Sequence, residues 1–197
     1  LVFDFDGVLV ESMAIKGTAF RRLYQALGAA VAEAAVAHHV AHAGLSRRQK
    51  IRDFHRVHLG QEPEAHELDG LCQRFSELVE DAVVACDAVP GAEAVLETWH
   101  RRLALFVLSG TPGAELARIV ARRGLDRYFA EVIGTPPEKP ASLRRLLREH
   151  RWRPRQILFI GDGATDLEAA RETGVRFLGR VRDGEANPFP AGTPALS

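Results

Sequence analysis

The sequence predicts an α/β protein, a Rossmann-like, doubly wound parallel sheet carrying an inserted α-helical segment. Three observations predict it. From about Asp87 onward, short β-type runs alternate with helical patterns, the rhythm of parallel strands joined by crossover helices. Leu1 to Phe5 supplies one further strand at the start of the chain. Between that strand and Leu103 the pattern is mostly helical and far too long for an ordinary crossover, so a helical unit is inserted after the first strand.

In chain order, helices are expected at Ala14 to Leu27, Val31 to Ala43, Arg47 to Leu59 and Glu64 to Cys86. Joints near Met13 and around Asp87 to Gly91 then divide the chain into a core, residues 1–13 and 88–197, and a helical cap, residues 14–87. Ser46 followed by Gln49 has the form of a capping box opening the third of these helices. Beyond the second joint, a strand at Leu103 to Leu108 leads to a helix at Pro112 to Arg123, with Thr111 as its cap and proline at its first position. A strand at Glu131 to Ile133 precedes a helix at Pro140 to His150, and a strand at Ile157 to Gly161 precedes a helix at Asp166 to Thr173. Val175 to Val181 is the last expected strand. Gly124 and Gly174 follow helix ends, where glycine is the usual stop. The Pro- and Gly-rich tail from Asp183 to Ser197 is expected to be irregular surface.

Composition narrows the function classes. The 197 residues include 26 basic and 26 acidic side chains, so the formal charge is zero and the global basic field used by nucleic-acid binders is missing. Any anion is caught locally. The two cysteines, Cys72 and Cys86, make neither a spaced metal set nor a disulfide framework, which favours a reducing compartment and a cytoplasmic location. No apolar run reaches the roughly 18 residues of a membrane span, and no charged-then-apolar leader is present. The chain opens at Leu1 in mid-strand, so a short natural segment is expected to precede it.

Ligands of parallel α/β sheets bind at the carboxyl ends of the strands. The residues there are Asp4 and Asp6; Ser109, Gly110 and Thr111; Lys139; and Asp162 and Asp166. Carboxylates gathered in one mouth repel one another by about 4 kcal/mol per close pair at an effective dielectric near 20. A hard cation and a lysine remove that cost: Mg²⁺ suits an all-oxygen site, Lys139 adds a fixed ammonium, and the Ser109 hydroxyl with nearby backbone N–H groups suits phosphoryl oxygens. Singly, Asp-x-Asp-Gly reads as a turn, Ser109-Gly110-Thr111 as a loop and cap, and Lys139 as a surface lysine. Their joint occurrence, in order and on strand ends, raises them above those readings. Gly161-Asp162-Gly163 lacks the full glycine fingerprint of a dinucleotide loop, and its aspartate would repel a pyrophosphate.

Asp4-Phe5-Asp6-Gly7-Val8, Leu108-Ser109-Gly110-Thr111, Lys139 and Gly161-Asp162-Gly163-Ala164-Thr165-Asp166 resemble, in order, the four motifs of the haloacid dehalogenase superfamily of phosphotransferases. The helical insertion is similar to the small cap of its phosphoglycolate phosphatase-like and β-phosphoglucomutase-like members. The resemblance implies that Asp4 is a nucleophile forming an aspartyl-phosphate and that Asp6 acts as general acid, then general base. It implies Mg²⁺ held by the Asp4 carboxylate, the Asp6 main-chain carbonyl and Asp162, with Asp166 beside them, and a phosphoryl group bound by Ser109, Gly110 and Lys139. An acid at position 6 sets the chain apart from the superfamily's dehalogenases and phosphonate hydrolases and favours a phosphate ester. Glu11 stands where many relatives carry aspartate, beyond the catalytic loop, and no loss of activity is expected from it.

In the cap, Gly44-Leu45-Ser46-Arg47 resembles a loop whose arginine contacts the non-transferring end of the substrate. Arg47, Arg48, Lys50 and Arg52 crowd the start of one helix, where cations oppose its dipole and a bound anion would offset them. Arg47 and Lys50 are therefore candidate substrate contacts, against the alternative of a solvated charged face. His38, His39 and His42 include an i, i+4 pair but lack a carboxylate partner, so an ordinary helix is expected there. Cys72, Cys86, Phe54, Phe75 and Trp99 are assigned to packing. The expected function is a Mg²⁺-dependent phosphatase acting on a small phosphorylated metabolite. The alternatives are a phosphomutase of the β-phosphoglucomutase type and a non-catalytic binding protein.

Overall fold

The structure is a computed structural model that describes every residue except Ala43 and Ser197. Six parallel strands form one sheet: β1 (Val2–Phe3), β2 (Phe106–Pro112), β3 (Glu131–Thr135), β4 (Leu158–Gly161), β5 (Arg176–Arg180) and β6 (Ala195–Leu196). Their order is β3-β2-β1-β4-β5-β6. The chain leaves β1 toward β2 and β3, then crosses back to β4 on the other side of β1. That reversal opens a crevice at the carboxyl ends of β1 and β4, the switch point where ligands bind in doubly wound sheets.

Side chains alternate across each strand, and the apolar content on both faces buries the sheet twice over. Val2, Phe106, Leu108, Ile133 and Phe159 face one cluster, covered by α7 (Lys139–Glu149) and α8 (Ala164–Thr173) through residues such as Leu143, Leu146, Ala169 and Ala170. Phe3 and Val107 face the other, which includes Leu116, Ile119 and Val120 of α6 (Gly113–Arg122) and Leu96 of α5 (Ala92–Trp99). Four further helices precede α5 between β1 and β2 among the described residues: α1 (Met13–Tyr24), α2 (Ala29–Ala41), α3 (Arg47–Phe54) and α4 (Ala65–Ala85). Their apolar faces, with Phe20, Tyr24, Phe54, Phe75 and Val79 at the centre, join the second cluster in one continuous core.

Several expectations are corrected. Strand β2 begins at Phe106 and runs through Pro112, with its register broken between Leu108 and Pro112. The following helix therefore starts at Gly113, and Thr111 does not cap it: its hydroxyl donates to Asp6 instead. The Ser46 box is half made, since Ser46 Oγ accepts from Gln49 N but also donates to the Gln49 side chain, leaving no return bond to the backbone. The third helix of the insertion turns π-helical over His55–Leu59. Helix α5 was not anticipated, and Trp99 at its end is 39% exposed. The tail is not wholly irregular: β6 pairs with β5, and Phe189 is buried edge-on against Phe177 at 5.3 Å. The expected helix end at Ala43 and the terminal Ser197 lie outside the described residues.

Phe159 is fully buried in β4, its ring against Phe177. Phe159→Ala should cost about 3–5 kcal/mol, read as a lower urea midpoint with an unchanged slope.

Candidate active site

After β1 the chain is held in register for one more residue, because Asp4 N donates to Ile160 O of β4 at 2.8 Å. It then turns back on itself: Leu9 N and Val10 N both donate to Phe5 O, and Gly7 N donates to Val10 O. Gly7 is required twice over. Its φ is +73°, and a Cβ there would collide with the Asp162 carboxylate arriving from β4. The turn thereby presents Asp4 and Asp6 beside Asp162.

Lys139 organises the acids on one side. Its ammonium lies 3.0 Å from Asp4 Oδ2 and 2.5 Å from Asp166 Oδ1, and all three side chains are buried. Burial alone would lower the lysine pKa, but Asp166 and Asp4 outweigh it and hold Lys139 charged. Asp166 also accepts from Gly163 N at 3.0 Å, capping α8 from its first turn. Asp4 is driven well above the ordinary carboxylate range, first by burial and then by Asp166, Asp162 and Asp6, against the pull of Lys139. Asp162 is likewise pushed up to about 7 by burial and by Asp166.

Asp6 is the opposite case. Ser12 Oγ donates to its Oδ1 at 2.6 Å, Ser109 and Thr111 hydroxyls donate to Oδ2 at 3.3 and 3.2 Å, and Lys16 Nζ sits 2.5 Å from Oδ2. Burial raises its pKa, yet Lys16, with the bonds from Lys16, Ser12 and Thr111, brings it down to about 2. One acid is thus kept ionised while its neighbours two residues earlier and across the crevice are held reluctant to ionise.

Oxygens of Asp4, Asp162 and Asp166 lie within 4.8 Å of one another. This is an all-oxygen donor set of the kind hard divalent cations take. Burial first, and the neighbouring carboxylates after it, make Asp4 and Asp162 costly to ionise beside Lys139 alone, and a further cation would relieve that cost, so the residues fit one. Asp166 receives Lys139 and Gly163 N, and Asp4 receives Phe5 N at 2.7 Å and Lys139, so both are already oriented by donors of the protein.

The acids open into a cavity of about 40 Å³, enough for a few waters, roofed by helices α1 to α4. Its walls include Asp4, Asp6, Asp162, Gly110, Lys16 and Lys50. Gly110 lies against the Gly44–Leu45 loop, where a Cβ would come within 3.1 Å of Leu45 O. Ser109 stands behind Asp6, its hydroxyl occupied by Asp6 and by Thr111 N. Arg47 also lines the cavity but is engaged: both terminal nitrogens meet the Glu115 carboxylate at 2.9 and 2.7 Å, Ser76 joins them, and the guanidinium lies 4.4 Å over Phe75. The anion that offsets Arg47 in the first turn of α3 is therefore the protein's own Glu115. Arg48 and Arg52 are exposed and pair with Asp69 and Glu62.

Sequence reasoning missed Ser12, Lys16, His39 and Glu115. Ser12 and Lys16 stand one helical turn apart, a spacing that puts both on one face, and that was the signal available. Glu115 is an acid in a first helical turn, where its type is ordinary, and nothing local marks its partner.

A family model described as haloacid dehalogenase-like hydrolase matches residues 1–174. The chain belongs to that family. It is an enzyme, a hydrolase of phosphoric monoesters. It is similar to a phosphoglycolate phosphatase of Synechococcus elongatus, 28% identical over 195 residues that cover 89% of this chain and 80% of that one. A phosphoglycolate phosphatase of Pseudomonas putida is 27% identical over 209 residues, covering 100% and 74% respectively. Among solved structures, CbbY of Rhodobacter sphaeroides in complex with xylulose-1,5-bisphosphate superimposes with a TM-score of 0.75 at 20% identity, over 99% of this chain and 92% of that one. Among the described residues, no helix is long and apolar enough to cross a membrane.

The Arg47–Glu115 pair is buried, so removing one partner strands the other. Glu115→Gln should cost about 3–5 kcal/mol at neutral pH, while an apolar double replacement at both positions stays closer to the wild type. Arg47 lowers the Glu115 pKa against burial, so folding is favoured by this carboxylate above its ordinary value of 4.5 and loses that help as the pH falls below it. Urea melts across this range should show the gap between wild type and Glu115→Gln narrowing toward acid pH.

Proposed function

We propose that the protein is a Mg²⁺-dependent phosphatase that hydrolyses a small phosphorylated metabolite through an aspartyl-phosphate on Asp4. The observation that carries this reading is the gathering of Asp4, Asp162 and an ionised Asp6 around one cavity at the switch point of the sheet, with Lys139 in contact with Asp4. Asp4 and Asp162, with the Asp6 main-chain carbonyl and Asp166, would hold Mg²⁺, whose charge when bound neutralises phosphoryl oxygens and the donor carboxylates. Lys139 and the Ser109–Gly110 segment bind the phosphoryl group.

In the first half-reaction an Asp4 oxygen forms a bond to phosphorus as the ester P–O bond breaks, and Asp6 gives its proton to the departing oxygen. In the second, Asp6 takes a proton from water, whose oxygen attacks the phosphorus and releases Asp4 and inorganic phosphate. Asp6 rests as a carboxylate in the ligand-free protein. An incoming phosphoryl dianion competes for Lys16 and adds negative charge beside Asp6, and both effects raise its pKa toward the acid form.

Residues 14–87 act in this reading as a cap over the core formed by 1–13 and 88–197. A cavity of about 40 Å³ is smaller than any phosphate ester, so the cap opens to admit substrate and closes to exclude water. The phosphoglycolate phosphatase names of the relatives, and the sugar bisphosphate held by CbbY, support a small phosphorylated substrate.

Phosphate release from a panel of phosphorylated small acids, sugars and nucleotides should require Mg²⁺, stop on chelation and fall to background in Asp4→Asn. Asp6→Asn should lose on the order of 10²- to 10⁴-fold in kcat. Interconversion of sugar phosphates without release of phosphate would replace the hydrolytic outcome with a mutase.

A further inference from the structure

Gly7 is the joint of the turn that carries Asp4 and Asp6, and as a glycine it has little conformational preference of its own. Its φ of +73° must therefore be held by its neighbours. One hold is local: Gly7 N donates to Val10 O at 2.8 Å. The other comes from two strands away. Arg180, at the carboxyl end of β5, reaches past β4 and donates from one terminal nitrogen to Gly7 O at 2.9 Å.

The second terminal nitrogen of Arg180 donates to Glu11 Oε1 at 2.6 Å, and Arg182 Nε donates to Glu11 Oε2 at 3.2 Å. Glu11 is itself fastened to the second joint of the chain, its N donating to Asp87 O at 3.0 Å. Arg180 is 9% exposed. An arginine kept only for charge balance turns both nitrogens of its fork to one carboxylate, as Arg47 does with Glu115. Arg180 divides its fork between an acid and a main-chain carbonyl of the catalytic turn.

The Asp6–Gly7 peptide is trans, so with its N–H on Val10 its carbonyl points to the opposite side. Arg180 ties the next peptide plane, Gly7–Val8, through its oxygen. Both planes flanking the Gly7 Cα are thereby fixed. Resting on the phosphatase reading, we infer that Arg180, braced by Glu11, is a positioning residue for the cation: it holds the Gly7 joint so that the Asp6 main-chain carbonyl keeps the direction the cation requires. Arg180 touches neither cation nor substrate in this role. Glu11, beyond the catalytic loop in the sequence, acts on that loop through it.

The test measures Mg²⁺ binding to the full chain by calorimetry and amide hydrogen exchange of residues 5–10, neither of which needs turnover. Arg180→Met should weaken Mg²⁺ about 10- to 100-fold, the usual effect of removing a group that orients a metal ligand. It should also speed exchange in the turn while β2 and β3 keep their protection. Arg180→Lys, which can still reach one partner, should recover part of the affinity. Arg145→Met, whose side chain pairs with Glu131 and Glu149 away from the turn, controls for a general loss of stability and should bind Mg²⁺ as the wild type does. In phosphate release, the defect of Arg180→Met should shrink as Mg²⁺ is raised, with KM for the ester little changed. Turn exchange at the wild-type rate, or faster exchange with Mg²⁺ affinity unaltered, overturns the assignment, and so does an equal loss of affinity in Arg145→Met. Where the melting curve shows that Arg180→Met does not fold, Glu11→Gln takes its place: it keeps the guanidinium, removes its charged partner, and should move both readouts in the same direction by less. If the wild type binds no Mg²⁺, the phosphatase reading fails on its own; faster turn exchange in the variant then keeps Arg180 as the holder of the turn, and an unchanged rate removes it.

Discussion

The ammonium of Lys139, set between Asp4 and Asp166, is the interaction on which the site depends. A parallel sheet brings its strand ends to one edge, and this chain places Asp4, Asp6, Asp162 and Asp166 there, most of them shielded from water. Without a buried cation the mouth of the crevice would be held apart by its own charge. Lys139 reaches it from the first turn of α7, passing 5.8 Å over the Phe159 ring in the core. It offsets Asp4 and Asp166 but leaves Asp4 and Asp162 raised. In the proposed chemistry a divalent cation would relieve that cost and let a phosphoryl group approach the acids.

The roof follows the same rule with the signs reversed. Lys16, Arg47 and Lys50 come down from α1 and α3 toward the acids. Lys16 binds Asp6 and keeps it ionised, and Arg47 binds Glu115 of α6 and ties α3 to the sheet-facing layer. Among the described residues, Lys50 has no acid within ion-pair distance and meets His39 instead. Phe75, Val79 and Leu116 belong to one continuous core, so the proposed cap motion would carry helices across a packed apolar surface, and the charged contacts at the rim would couple closure to an incoming anion.

Much of the fold and the acidic half of the site was legible in the sequence because the signals are local. Alternating apolar runs, helix stops at Gly124 and Gly174, and proline in the first turn of α7 each act over a few residues. The misses share a different cause. Thr111 has the form of a helix cap, yet the register break in β2 moves the helix start to Gly113 and turns its hydroxyl to Asp6. The two-residue β6 carries no pattern of its own and exists because β5 offers it an edge.

The sequence by itself determined the α/β rhythm, the helical insertion and the four strand-end motifs with Asp4, Asp6, Lys139 and Asp162. These are written in neighbouring residues and in strand periodicity. The tertiary structure alone decided which charge meets which: Lys16 with an acid before it and a threonine 95 positions ahead, Arg47 with a glutamate 68 positions ahead, and Lys50 with a histidine of α2. Electrostatic pairing depends on distance in space and on exclusion of water, and both are set only when the sheet and the four helices close on one another.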